Sequence, residues 1–351
     1  MKFKLNAFAS CSVLAVALTS TPILADSVSF TELPNTLLTG LNYSIRVSDE
    51  GTAAYVSKDG NFYSWSSVAG STDLGDIPDS QSLYLTYRSN ISTDGSVIAF
   101  HVAEQGLSGG IGNGTTFVYS NGVEQVVSSY DRSALAPNGL LLGGASYIHD
   151  LSNGSLTRVV AHSNVVARVD LNTHFSNDAK VATFQDQLAT QNTDGSWSTQ
   201  EIPGADFNPN TSERISDISG DGKIVIGLFD ADESGANCGV GRCAVRWDST
   251  NNTTTTIDIP TQYLTPGLAA TNYDGSVIVG LDNVWDSFNG VRDIVDVMAL
   301  QGIDISEWSG IHLEDISSDG SYIVGFGTNP EGQHHTGFMI TALPECTTGL
   351  F

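Results

Sequence analysis

Short apolar runs alternate with turn residues along this chain on a beat of about 45 residues. The clearest copy lies near the end: Asp315-Ile316-Ser317-Ser318-Asp319-Gly320-Ser321-Tyr322-Ile323-Val324-Gly325, then Gly337-Phe338-Met339-Ile340. An apolar strand enters a tight Asp-Gly turn, a second leaves it, and a glycine-bearing loop leads to a third. Aligning the turn gives seven copies, at Glu50-Gly51, Asp94-Gly95, Asn138-Gly139, Asp178-Ala179, Asp221-Gly222, Asp274-Gly275 and Asp319-Gly320. The strand after the turn is continuously apolar, as in Val97-Ile98-Ala99-Phe100, Ile224-Val225-Ile226-Gly227 and Val277-Ile278-Val279-Gly280. Runs of this kind suit strands buried on both faces. Four strands per copy at this period predict an all-β, seven-bladed β-propeller in which each repeat is one blade.

The fifth copy is the most completely written. Its strands A to D are expected at about Glu213–Ile218, Lys223–Phe229, Ala244–Asp248 and Thr254–Ile259. The A–B and C–D links are short turns and fall on one face of the disc, because successive strands alternate in direction. The B–C and D–A links share the other face and vary in length. Strand D has a recurrent ending, Asp76-Ile77-Pro78, Glu201-Ile202-Pro203 and Asp258-Ile259-Pro260, and proline suits an outermost strand. Glu32-Leu33-Pro34 repeats it at the start, while the seventh copy has no room for a strand D before Phe351. Val28 to Leu33 is therefore expected to supply strand D of the last blade and close the ring. In the sixth copy the stripe at Val291, Ile294, Val295 and Met298, stopped by Gly302, predicts one short amphipathic helix packed on that blade.

The ends and the charge add a location. Lys2 and Lys4, the apolar run Ser12 to Leu18 and the small-residue site at Pro22-Ile23-Leu24-Ala25 form a secretory signal peptide cleaved after Ala25, leaving 26–351 as one domain. No later apolar run is long enough to span a bilayer. The 39 acidic residues against 14 basic ones give a formal charge of −25. Such a field repels nucleic acid and anionic membrane surfaces, so neither is expected as a partner. In an exported chain Cys238-Gly239-Val240-Gly241-Arg242-Cys243 is expected to hold a loop-clamping Cys238–Cys243 disulfide, with Cys346 left over.

Candidate chemistry is sparse. Asp230-Ala231-Asp232-Glu233-Ser234-Gly235 has the first six positions of a calcium loop, but Gly241 stands where the bidentate Glu is needed, which favours a solvated acidic loop. Gly109-Gly110-Ile111-Gly112-Asn113-Gly114 leads into a strand and not a helix N-terminus, so it reads as a flexible loop and not a phosphate cradle. On a strand, His334 and His335 would point to opposite sides and could not chelate one ion. No serine stands in a strand-turn-helix elbow. No catalytic residue, metal site or cofactor is expected.

The third strands, Phe62-Tyr63-Ser64-Trp65, Phe117-Val118-Tyr119, Ala244-Val245-Arg246-Trp247 and Gly337-Phe338-Met339-Ile340, each follow an Asp-Gly strand pair. In this they resemble the HAF repeat, in which Ser-x-Asp-Gly-x-x-Val-Val-Gly precedes Ala-Phe-x-Trp. The stretches Gly302 to Trp308 and Gly327 to Gln333 resemble the C-terminal end of exported HAF-repeat proteins of Gram-negative bacteria. The resemblance implies export and a repeat scaffold, and no chemistry.

Together these readings point to a secreted or periplasmic, monomeric, non-catalytic binding scaffold. Its recognition face would be the loops Glu104–Gly114, Asp230–Arg242 and Thr328–His335, meeting an extracellular protein or glycan. One alternative is a propeller hydrolase or lyase acting on an extracellular polysaccharide, with inward carboxylates, one of raised pKa, and Trp285 or Tyr273 stacking on sugar. Another is a calcium-stabilised structural protein of a cell surface or matrix.

Overall fold

The computed structural model describes residues 28–341, except 35, 37–43, 58–59, 77–84, 106–110, 130–133, 145–146, 160–172, 185, 206–213, 231–241 and 260–267. The signal-peptide residues and Cys346 lie outside this range. The described chain forms seven antiparallel sheets of four strands, the seven-bladed propeller expected from the repeat. Strand β1 (Ser29–Glu32) comes first. Blade 1 is β2 (Ile45–Val47), β3 (Ala53–Val56), β4 (Asn61–Ser66) and β5 (Gly70–Asp76), and blade 2 is β6 (Leu85–Ile91), β7 (Val97–Gln105), β8 (Ile111–Ser120) and β9 (Val123–Ser129). Blade 3 is β10 (Ala134–Leu135), β11 (Leu141–Gly144), β12 (Tyr147–Asp150) and β13 (Leu156–Arg158), and blade 4 is β14 (Thr173–Phe175), β15 (Val181–Phe184), β16 (Gln187–Gln191) and β17 (Trp197–Glu201). Blade 5 is β18 (Arg214–Ile218), β19 (Ile224–Asp230), β20 (Arg242–Asp248) and β21 (Thr253–Ile257), and blade 6 is β22 (Ala270–Thr271), β23 (Val277–Gly280), β24 (Asn283–Asp286) and β25 (Gly290–Asp293). Blade 7 is β26 (Ser309–Ile316), β27 (Tyr322–Thr328) and β28 (Thr336–Thr341), completed by β1.

Ring closure follows the sequence reading. β1 pairs antiparallel with β28, from Ser29 opposite Thr341 to Glu32 opposite Phe338. Phe30 stacks on Phe338 at 4.7 Å and meets Trp308 edge-on at 5.0 Å. Leu33, Ile202 and Ile259, which precede the recurrent prolines, lie just past their strands and are buried. They anchor the chain as it leaves the outer edge of a blade. The axis-side strands β2, β6, β10, β14, β18, β22 and β26 contact one another in a closed circle.

The core is distributed between the blades. Phe62 of β4 stacks on Phe100 of β7 at 4.3 Å across the seam of blades 1 and 2. Among the described residues each seam has its own apolar cluster, drawn from both neighbouring sheets. This explains the unbroken apolar runs: a second strand is covered by a blade on each side.

One element differs from its expectation. Val291 to Asp293 belong to β25, and the helix, α1, covers only Ile294–Leu300. Asp293 caps it, its side chain accepting the N–H of Val295 at 2.7 Å, and Gly302 follows at φ +78°. Ile294, Val297 and Met298 are buried with Ile311, Leu313 and Phe338, so the helix fills the link between blades 6 and 7 instead of covering blade 6 alone. The stripe was a fusion of two periods, since Val291 faces inward as a strand residue would.

Candidate binding face and the axial polar cluster

The short turns are consumed by structure. Ser92 Oγ donates to Asp94 Oδ1 at 2.7 Å and accepts the N–H of Val97 at 2.9 Å, while Asp94 Oδ1 accepts the N–H of Ser96 at 3.0 Å. These bonds to its carboxylate, the one from Ser92 foremost, hold Asp94 below the usual aspartate range. The serine-to-aspartate and serine-to-backbone contacts recur at Ser176/Asp178, Ser219/Asp221 and Ser317/Asp319. Adjacent turns are also joined across the seams. The N–H groups of Asp49, Thr93, Asn177, Asp221 and Tyr273 donate to the carbonyls of Thr93, Pro137, Gly220, Tyr273 and Ser318, at 2.7 to 2.9 Å. The step from blade 3 to blade 4 starts at Pro137, which has no N–H to give. Across the axis, Asn177 Nδ2 of blade 4 donates to Ser318 Oγ of blade 7 at 2.6 Å. The turn face is thus tied shut around its centre.

The opposite face carries the long links. Its best-described loop is Thr328 to His335, built around Asn329, which is 2% exposed. Asn329 Oδ1 accepts the N–H of Gln333 at 2.8 Å, and its Nδ2 donates to Gln333 Oε1 at 3.0 Å and Glu331 Oε2 at 2.9 Å. Glu32, at the end of the closing strand, lies 3.4 Å from the same nitrogen. His334 and His335 sit in this loop and not on a strand, and His335 has a φ of +58°. Their rings are 6.4 Å apart instead of pointing to opposite sides, because the left-handed residue breaks the strand alternation. Phe326 lies between His312, stacked at 5.1 Å, and His335 at 5.8 Å. Burial pushes the His312 and His335 imidazoles down, so they are neutral near pH 7.

Around the axis the inner strands carry a cluster that sequence reasoning did not single out. Two residues before each turn serine or its equivalent stand Arg46, Asn90, Ala134, His174, Asp217, Ala270 and Asp315. Opposite polar types meet in neighbouring blades. His174 Nδ1 is 3.3 Å from Asp217 Oδ1, and Arg46 Nη1 is 3.8 Å from Asp315 Oδ1. Both aspartates sit at register shifts in their strands and accept the N–H of the next inner strand: Thr271 on Asp217 Oδ2 and Val47 on Asp315 Oδ2, each at 2.9 Å. Arg46 also donates to the Glu314 carbonyl at 2.6 Å. Burial drives Glu314 and Asp315 up to about 7, against the pull of Arg46. The available sequence signal was a charged residue inside an apolar strand, as in Asp217-Ile218-Ser219 and Asp315-Ile316-Ser317.

Other expected features fall differently. β8 begins at Ile111, so the run Gly109–Gly114 is not wholly loop; a Cβ on Gly114 would lie 2.3 Å from Cε1 of buried His101, and glycine is there to admit that ring. The loop Glu104–Gly114 is shortened accordingly, with Gln105 paired to Ile111. Asp230 and Arg242 pair at the strand ends, and the calcium-like loop between them and Cys238 lie outside the described residues. Cys243 is buried on β20. Trp285 is a core residue, 9% exposed in the cluster between blades 5 and 6. Tyr273 is half-exposed but belongs to a short turn, so neither aromatic is placed to stack on a ligand at the loop face. Among the described residues no group of three His, Cys, Asp or Glu could hold a metal ion, and no helix is long and apolar enough to cross a membrane.

No protein-family model matches the chain, and no curated protein matches it. Solved structures do. A chain in the crystal structure of the mitotic checkpoint complex is similar at TM-score 0.52 and 15% identity, over 97% of this chain and 98% of that one. The β-propeller domain of Cps50 (Swd1) from Myceliophteria thermophila gives TM-score 0.47 at 13% identity over 88% and 99%. The WD40 β-propeller domain of Doa1 gives 0.46 at 13% over 92% and 98%. At 15% identity the first likeness is one of fold alone, and it agrees with the seven four-stranded blades of this chain.

Proposed function

We propose that this protein is an exported, non-catalytic binding scaffold that meets a protein or glycan ligand on the face formed by its B–C and D–A links. The observation that carries this is the asymmetry of the disc. Turn-face polar groups bond one another across the seams and across the axis, through Asn177 and Ser318. The loop face offers a preformed hairpin with Gln333 and His334 exposed, held from beneath by Asn329. A loop fixed in advance loses little entropy on binding. Export rests on the charged, apolar and small-residue order of residues 1–25, and on the resemblance to exported HAF-repeat proteins. A Cys238–Cys243 clamp in the blade 5 loop belongs to the same reading, supported by Cys243 being disulfide-bonded.

The polysaccharide-cleaving reading is less well supported. It draws on the raised carboxyl pair, but Asp315 is committed to Val47 and Arg46, and Trp285 is packed in the core. The test is fractionation of the producing cell followed by binding of the mature protein to a panel of its surface polysaccharides and surface proteins. Alanine at Gln333 and His334 is expected to weaken the binding at least about tenfold, as loss of central contacts does. Serine at Val68 and Phe288, exposed on the turn face, is expected to leave it unchanged. The reverse pattern would overturn the assignment of the face, and cleavage of any polysaccharide would overturn the non-catalytic reading.

A further inference from the structure

The seam between blades 7 and 1 is held in a way that the other described seams are not. Neighbouring turns elsewhere, except at the Pro137 step from blade 3 to blade 4, are joined backbone to backbone; here a side chain takes the bond, the Asp49 carboxylate accepting the N–H of Asp319 at 3.2 Å and that of Ser318. Deeper in the same seam, Asp315 Oδ2 accepts the N–H of Val47, and Arg46 reaches the Glu314 carbonyl and the Asp315 carboxylate. Three carboxyl groups therefore gather at one joint: Asp49 in the first turn, and Glu314 and Asp315 on β26, where Arg46 acts on the last two. Arg88 of β6 also acts electrostatically on Glu314, and Asp217 of β18, itself against His174 of β14, adds negative charge to Asp315. Asp319 and Glu50 do the same to Asp49.

We propose that the joint between the last and first blades is a proton-operated clamp, tightened when its carboxyl groups take up protons and loosened when they release them. A protonated carboxyl keeps an acceptor oxygen for the backbone N–H it already binds and gains a donor, so the bonds survive while the repulsion goes. Desolvation supports the direction, raising Asp49 to about 6 and Glu314 and Asp315 to about 7. A carboxyl with a higher pKa folded than unfolded contributes stability that is complete below its unfolded value and is lost as pH rises through the folded one. The clamp therefore weakens between about pH 4 and pH 7, the reverse of an ion-paired carboxylate.

The test is amide hydrogen exchange of the full mature chain at pH 5.5 and pH 8, corrected for intrinsic exchange and read on peptides. Opening of 45–52 and 309–322 is expected to be at least about tenfold greater at pH 8, one pKa unit being one factor of ten. Peptide 134–144, from the seam of blades 2 and 3, is expected to change much less. The double variant Asp49→Asn, Glu314→Gln keeps the acceptor oxygens and removes two of the charges. At pH 8 it is expected to regain most of the protection seen at pH 5.5, the remainder staying with Asp315. An equal change at 134–144 in the unaltered chain would assign the effect to net charge and overturn the clamp. So would a double variant that folds and keeps the full pH dependence.

Discussion

At Gly275 φ is +68°, and a Cβ would fall 2.6 Å from Cβ of Ile224 in the preceding blade. Gly222 and Gly139 stand in the same relation to Val181 and Val97. The turn glycine therefore meets two demands: a left-handed backbone and a neighbouring strand that leaves no room for a side chain. Gly70, at φ +69° with nothing within 4 Å, meets only the first. Gly275→Ala is expected to cost about 3 kcal/mol and Gly70→Ala about 1 kcal/mol, measured as denaturant midpoints at constant m. Equal costs would refute the packing part of the argument. From the sequence, Asp-Gly was legible as hairpin chemistry; its second role was not, because the atom it avoids belongs to another repeat. Blade 4 carries Ala179 here at φ +57°, so the site tolerates a methyl where the neighbour permits.

Among elements, strand periods were easy to read and helix or loop boundaries were not. The fifth blade matches its expected strands to within about two residues, the ordinary uncertainty of strand ends. The helical stripe starts three residues before α1 does, since Val291 of β25 falls by chance on it with Ile294 and Met298. The cap at Asp293 marks the true start, and Asp293→Ala is expected to lower stability by about 1 kcal/mol, read as a fall in Tm. The Asn329 hairpin shows the same limit for the candidate site. In the sequence only the length of this loop stands out, while its rigidity depends on a buried asparagine that also reaches Glu32, from the other end of the chain. Asn329→Ala is expected to leave the global Tm within a few degrees and to raise proteolytic cleavage at 329–335, because several donors and acceptors of one loop lose their partner together.

For the whole molecule, closure is the controlling event. β1 contributes only four residues, yet it covers the edge of β28 and brings Phe30 against Phe338 and Trp308. Phe30→Ala is expected to cost about 3 kcal/mol. A chain lacking residues 26–34 exposes the β28 edge, and is expected to lose its single cooperative transition and to associate, as followed by calorimetry and light scattering. If that chain stays monomeric with an unchanged Tm, the closing strand is dispensable. The acid-tightened seam acts on the whole ring too, since it joins the first turn to the last.

The sequence by itself determined the number of blades, the direction of each strand, the closing role of Val28 to Leu33 and the division of the disc into a short-turn face and a loop face. All of these follow from local periodicity and turn chemistry, which act over a few residues. Only the tertiary structure decided which residues meet. Arg46 and Glu314 are 268 residues apart in the chain, and Asn177 and Ser318 are 141 apart. Their contacts exist because closing the ring brings the last blade beside the first and sets the fourth across the axis from the seventh. No local pattern encodes that adjacency, so the axial polar cluster and its buried carboxyl groups became visible only in the folded chain.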